Sequence, residues 1–196
     1  MKFVFASSNP SKTREAREIL GDKFELISQS DYGISAAEEI ASTFLENALI
    51  KARHASFLTG LPAIADDSGL CVDILGGAPG VKSARYSGSQ SNDKQNIRKL
   101  LDELGYQTNR KAFFVCVIVA LNHPEDPTPI TLESRWEGEI ATKALGNKGF
   151  GYDPVFLIPG LNRTAGQLAT NEKNAISHRG KALKGLMEEL SERYSS

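Results

Sequence analysis

Lys111-Ala-Phe-Phe-Val-Cys-Val-Ile-Val-Ala-Leu121 and, beyond a short connection, Ile130-Thr-Leu-Glu-Ser-Arg-Trp-Glu-Gly-Glu-Ile140 decide the fold of this chain. The first run is dense in β-branched and aromatic residues, which suit a pleated, buried surface. The second alternates polar and apolar, the two-residue period of a strand. The proline-rich segment 124–129 between them cannot continue a ladder and predicts the turn of a hairpin.

Working outward, residues 2–6 read as a short buried strand. Asn9-Pro10 then punctuates a turn before a helix with Ala16, Ile19 and Leu20 on one face. A second strand is expected at Phe24–Ile27. Thr43 stands three residues before Glu46, the spacing of a capping box, and opens a long helix carrying Phe44, Ala48, the stem of Lys51, Ala55 and Leu58 to an end near Gly60. Pro62–Ala65 is a short apolar strand that stops at Asp66-Asp67-Ser68-Gly69, and Leu70–Leu75 is a further strand segment. Gly76-Gly77-Ala78-Pro79-Gly80 is a loop, Ser91–Leu104 a helix through Ile97, Leu100, Leu101 and Leu104, and Ser177–Tyr194 a closing amphipathic helix through Ala182, Leu183, Leu186 and Leu190. Helices interleaved with strands and a hairpin predict an α/β fold with a mixed β-sheet flanked by helices. One domain over residues 1–196, built as two lobes, is expected at this length.

With 23 Lys+Arg against 24 Asp+Glu, the net charge of -1 supplies no field toward nucleic acid or an anionic membrane, so no nucleic-acid or membrane partner is expected. Bound phosphate has to be held locally. Cys71 and Cys116 have no metal-ligand spacing and make a poor disulfide framework, which favours buried thiols in a reducing cytoplasm. The apolar start, Met1 to Ala6, is too short for a signal sequence, and no run is long enough to span a bilayer. His54 reads as a surface or packing residue of the long helix, and Trp136 as sheet packing.

Four polar clusters fall between the elements. Ser7-Ser8-Asn9-Pro10-Ser11-Lys12 sits between strand and helix, where unpaired N–H groups and the positive helix end attract an anion and Lys12 adds a point charge; the plain alternative is an N-cap with a solvated lysine. It lacks the glycines of a Walker A loop. Adjacent carboxylates at Asp66-Asp67 oppose each other's ionisation unless a cation compensates, and magnesium, a hard ion that takes carboxylate and phosphate oxygens, is the natural compensator. Neighbours on a strand face opposite ways, so one of the two aspartates is expected in any one site. Gly149-Phe150-Gly151-Tyr152-Asp153-Pro154 combines close backbone approach, an aromatic face and an acceptor, which suits a purine. Lys173 and Ser177-His178-Arg179-Gly180 place cations at a helix start, where the dipole prefers acids.

Taken in order, Ser7-Ser8-Asn9-x-x-Lys12, Ala65-Asp66-Asp67-Ser68-Gly69-Leu70, Gly77-Ala78-Pro79-Gly80-Val81-x-Ser83-Ala84-Arg85-Tyr86, Gly149–Pro154 and Ser177-His178-Arg179-Gly180 closely resemble the inosine/xanthosine triphosphate pyrophosphatase family, almost end to end. The resemblance implies two lobes around a central nucleotide-binding cleft, a homodimer, and hydrolysis of ITP, dITP or XTP to the monophosphate and pyrophosphate with Mg2+. It puts the triphosphate on the loop Ser7 to Lys12, with Lys173 a further phosphate contact. It makes Asp67 the general base and a metal ligand, Ser68 a substrate neighbour, and Glu38, in preference to Glu39, the second metal ligand. Phe150, Gly151, Tyr152 and Asp153, with His178 and Arg179, become the nucleoside pocket. Family loops usually read Thr-Gly-Asn or Thr-His-Asn; here Ser7 keeps the hydroxyl and Ser8 departs. The other readings are a pyrophosphatase for dTTP, UTP or modified pyrimidine nucleotides, and a non-catalytic nucleotide-binding module.

Overall fold

The computed structural model describes residues 1–21, 23–90 and 92–194. Its strands are β1 Lys2–Phe5, β2 Glu25–Ser28, β3 Ala63–Val72, β4 Lys111–Leu121, β5 Ile130–Ile140, β6 Phe156–Ile158 and β7 Arg163–Thr164. They form one sheet in the order β2-β1-β3-β4-β5-β6-β7. β1 runs parallel to β2 and β3, whereas β6 is antiparallel to β5 and β7, so the sheet is mixed as expected. The helices are α1 Pro10–Leu20, α2 Phe44–Thr59, α3 Asp93–Leu104, α4 Thr170–Ile176 and α5 His178–Tyr194.

Local chemistry explains most boundaries. Asn9 Oδ1 accepts from the Ser11 and Lys12 amides, with Pro10 in the first turn where its missing N–H costs nothing. Thr43 and Glu46 close the capping box of α2, and Gly60, at φ 66°, ends it in the left-handed conformation that glycine adopts without strain. In the 122–129 turn the buried Asp126 carboxylate accepts from the Asn122 and Thr128 amides, both at 2.9 Å.

Two expectations need correction. The acidic tetrad is not at a strand end: β3 runs unbroken from Ala63 to Val72, with Asp66 and Asp67 in its middle. Two carboxylates interrupt the apolar pattern, so the sequence on either side of them has the look of two segments. The closing helix starts at His178, and α4 precedes it; Thr170-Asn-Glu-Lys-Asn174 shows no apolar period by which to find it. Ser91, the expected start of α3, lies outside the described residues, and the helix is seen from Asp93.

The chain divides into two compact units. The first is Met1–Asp67, Cys116–Ser134 and Arg179–Ser196, and the second is Ser68–Val115 and Arg135–His178. The first packs Phe3, Phe5, Leu20 and Ile64 with Ile118, Leu183, Leu186 and Leu190. The second packs Leu70, Leu100 and Leu104 with Phe114, Trp136, Tyr152 and Phe156. Trp136 is core, Cys71 and Cys116 are buried thiols, and His54 lies on α2 with Nε2 3.0 Å from the Ser35 carbonyl. Among the described residues no helix is long and apolar enough to cross a membrane.

Strand β6 sits tightly against β5. A Cβ at Gly138 would stand 2.5 Å from Phe156 Cζ and 2.7 Å from the Leu157 carbonyl oxygen. Gly138→Ala is therefore expected to cost about 1–3 kcal/mol of stability through overpacking. An unchanged urea midpoint would show that β6 shifts to make room.

Candidate functional site

In the first unit, the unbroken course of β3 sends two adjacent carboxylates in different directions, as the pleat requires. Asp66 is 1% exposed. Its Oδ2 lies 2.8 Å from Lys12 Nζ on α1 and 3.3 Å from Arg179 Nε on α5, while Arg179 Nη1 reaches Glu15 Oε2 at 2.8 Å. Burial by itself pushes the Asp66 carboxyl up, but Lys12, Arg179 and Lys51 outweigh it and hold the group well below the usual carboxylate range. Burial likewise lowers Arg179, and Asp66 and Glu15 more than restore it, so that guanidinium is locked in its charged form.

Asp67 meets a different environment. Its Oδ1 takes Lys51 Nζ at 2.9 Å, and the same ammonium reaches Glu39 Oε1 at 3.0 Å. Burial pushes Asp67 up, and Lys51 pulls it down without cancelling the rise, so its carboxyl sits above its ordinary value. Asp67 Oδ2 is buried and has no hydrogen-bond partner among the described residues. A buried carboxylate oxygen in that state is the donor a hard cation needs. Among the described residues no group of three His, Cys, Asp or Glu is gathered. Glu38 is exposed, whereas Glu39 is tied to Lys51.

The loop before α1 is more internally bonded than a bare phosphate cradle. Besides the Ser11 and Lys12 amides taken by Asn9, the Asn9 amide donates to Ser7 Oγ at 3.2 Å, and Gln29 Nε2 donates to Ser8 Oγ at 2.8 Å. These caps use helix-end donors that the sequence reading left for phosphate. Ser7, Ser8 and Pro10 border a cavity of about 570 Å³ that Arg14 and Arg17 also line.

The second unit holds the aromatic loop. Asp153 is 2% exposed, and its Oδ2 accepts from the Phe150 amide at 2.9 Å and from Lys173 Nζ at 2.6 Å. The Lys173 ammonium lies 4.7 Å from the centre of the Phe150 ring, a cation–π contact. Lys173, expected as a phosphate contact, thus stands with the residues expected around the base. Gly149 is obligatory here: at φ 75°, a Cβ would fall 2.0 Å from Asp153 Oδ2. Tyr152 is buried and its hydroxyl donates to the Ser83 carbonyl at 2.9 Å. His178 is packed, not presented: 4% exposed, its ring stacks on Phe114 at 4.8 Å between centroids. Ser68, the first residue of this unit, is half-buried.

Sequence reasoning missed Lys51, Glu39 and Glu15 as charge partners. One signal was present: Lys51 shares a helix face with Ala48, Ala52 and Ala55, and a lysine on a buried face needs a carboxylate. Nothing in the sequence told which one.

The profile of the Ham1 family matches residues 3–189. A dITP/XTP pyrophosphatase of Photorhabdus laumondii is 53% identical over 192 residues, covering 96% of this chain and 98% of the relative. One of Nitrosomonas europaea is 52% identical, with coverage of 97% and 95%. Among solved structures, a HAM1 protein from Coxiella burnetii superposes with a TM-score of 0.93 at 48% identity, covering 98% of this chain and 99% of that one.

Asp66→Asn would leave Lys12 and Arg179 without the charge that brings them together. It is expected to lower stability by about 3–5 kcal/mol. A wild-type urea midpoint for that variant would show that the buried cluster holds nothing in place.

Proposed function

The chain belongs to the Ham1 family, and from that premise we propose that it is a pyrophosphatase that hydrolyses purine nucleoside triphosphates carrying hypoxanthine or xanthine, namely ITP, dITP and XTP, to the monophosphate and pyrophosphate, and so clears them from the nucleotide pool. The chemistry rests on one observation, the contrast between Asp66, locked in its charged form by two cations, and Asp67, raised by burial with one oxygen unpartnered. Adjacent carboxylates pushed apart in this way take different roles. Asp66 is structural and Asp67 is the general base, because a base works best when its affinity for a proton is brought nearer the working pH.

The reaction is in-line attack of water on the α-phosphorus. Asp67 orients the water and takes its proton, the bond from the α-phosphorus to the bridging oxygen breaks, and pyrophosphate leaves. Ser7, Ser8, Asn9, Pro10, Ser11 and Lys12 are assigned to the phosphates, with Lys12 and Lys173 offsetting negative charge on the leaving group and Ser68 beside the substrate. Asp67 and Glu38 are assigned to Mg2+. With Glu39 held by Lys51, the exposed Glu38 is the carboxylate of that pair that an ion meets first. The ion, when bound, neutralises phosphate charge.

The nucleoside is assigned to Phe150, Gly151, Tyr152, Asp153, His178 and Arg179. A 6-keto purine presents O6 as an acceptor and N1–H as a donor, and adenine reverses both. Asp153, an acceptor already bonded by the Phe150 amide and by Lys173, is the group assigned to N1–H. Arg179 or His178 is the donor assigned to O6 on the family resemblance. An adenine meeting these groups would leave buried partners unpaired, at about 1–3 kcal/mol each. A homodimer is proposed on the family resemblance alone, and the molar mass in solution tests it.

Pyrophosphate release measured with Mg2+ on ITP, dITP, XTP, ATP and dTTP is expected to favour the first three. Equal rates on ATP and ITP, or a preference for dTTP, would sink the purine reading. Asp67→Asn should keep the fold and nucleotide binding and lose turnover by about two orders of magnitude or more; if Asp66→Asn does this while folded and Asp67→Asn does not, the roles are reversed. Glu38→Gln is expected to raise the Mg2+ concentration needed for half-maximal rate. An unchanged magnesium curve assigns the ion to another ligand.

A further inference from the structure

The Gly77–Tyr86 motif and helix α3 have no part in the reading above, yet both are tied to the loop assigned to the base. The Gly151 amide donates to Asp93 Oδ2 at 2.7 Å, and the Tyr152 hydroxyl donates to the Ser83 carbonyl. Asp93 is the first residue of α3. Asn92 and Gln95 close a capping box around that start, so the carboxylate is mounted on a fixed helix end. The helix is locked in turn to the motif and the residue after it by Asn96, a 2% exposed side chain that accepts from the Ser87 amide at 2.8 Å and donates to the Ala84 carbonyl at 3.0 Å. Every one of these residues lies in the second unit.

Gly151 has φ 60°, and a Cβ placed on it would meet nothing within 4 Å. Packing therefore does not dictate its conformation, and a glycine has the widest choice of alternatives. Its neighbours are Phe150, whose amide is held by Asp153, and Tyr152, whose hydroxyl is held by Ser83. Between those two anchors the peptide at Gly151 is the hinge, and Asp93 is the group that holds it.

We propose that Asp93 is a positioning residue for base recognition: its carboxylate fixes the Gly151 peptide and thereby the orientation in which Phe150 meets the purine. The proposal rests on the assignment of Phe150–Asp153 to the nucleoside. Without the acceptor, the Gly151 N–H turns to water and the loop spreads over several conformations. Apparent affinity then falls by the fraction of molecules in the competent one. Turnover of bound substrate is spared, because Asp67 is held by Lys51, Lys12 by Asp66 and Lys173 by Asp153, bonds that do not run through Asp93.

The test uses the full chain and three variants, with steady-state kinetics on ITP and Mg2+, calorimetric binding of ITP without metal, and amide exchange at Gly151. Asp93→Ala is expected to raise both KM and Kd about tenfold, with kcat within about twofold of wild type, and to speed exchange at Gly151. Asp93→Asn keeps an acceptor oxygen and is expected to bring all three back close to wild type. Asp93→Glu keeps the charge at the helix start but displaces the oxygens by one methylene, so it is expected to behave like Asp93→Ala; it also serves as the decisive variant if Asp93→Ala does not fold. Unchanged KM and Kd in Asp93→Ala or Asp93→Glu, a loss confined to kcat, or an Asp93→Asn variant as impaired as alanine would each overturn the proposal. If the wild-type chain binds ITP but releases no pyrophosphate, the hydrolytic reading fails and the Kd ratios alone decide the role of Asp93. If it binds no ITP, both fail.

Discussion

A carboxylate in the middle of a buried strand is the constraint around which the first unit is organised. Asp66 is 1% exposed and mid-strand, so cations must come to it, and they come from opposite ends of the sequence: Lys12 from α1 and Arg179 from α5. Relative to apolar packing such a cluster adds little net stability, because desolvating the ions offsets most of their attraction. Its effect is on arrangement. A strand, the first helix and the last are required to meet at one point, and Arg179 carries the requirement on to Glu15.

The same constraint differentiates the two aspartates. Lys12 and Arg179 are spent on Asp66, and Asp67, on the other face of the pleat, is left with one lysine that it shares with Glu39. One residue of displacement along a strand therefore separates a carboxylate held well below the usual range by Lys12 and Arg179 from one raised by burial with an oxygen left unpartnered among the described residues. Phosphoryl chemistry asks for the second kind, and the first kind keeps it where it is.

In the second unit the organising element is a glycine-rich loop anchored by the buried Tyr152 and by polar ties to its surroundings. Asp153, Ser83 and Asp93 each take one donor of the loop, and Phe114, Trp136, Phe156 and the ring of His178 form an aromatic cluster of the same unit. Lys173 is poised over Phe150 by its bond to Asp153, so an aromatic face and a buried ion pair are presented together.

Periodicity and turn chemistry by themselves determined the elements: β4 and β5 to the residue, the caps of α1 and α2, and the mixed character of the sheet, because these depend on contacts within a few residues or on a repeat visible in the chain. Order and spacing of five polar segments determined the family. Tertiary structure alone decided which charge meets which. That β3 continues through Asp66 and Asp67 is a local conflict resolved by Lys12, Lys51 and Arg179, residues from three different helices. That Gln29 bonds Ser8, that Lys173 joins Asp153, and that His178 is core while its neighbour Arg179 serves Asp66 are likewise pairings of groups remote in sequence. Local propensity acts over a helical turn or a strand pair, whereas a buried charge is settled by whatever opposite charge the fold brings within about 3–4 Å, and sequence distance has no bearing on that choice.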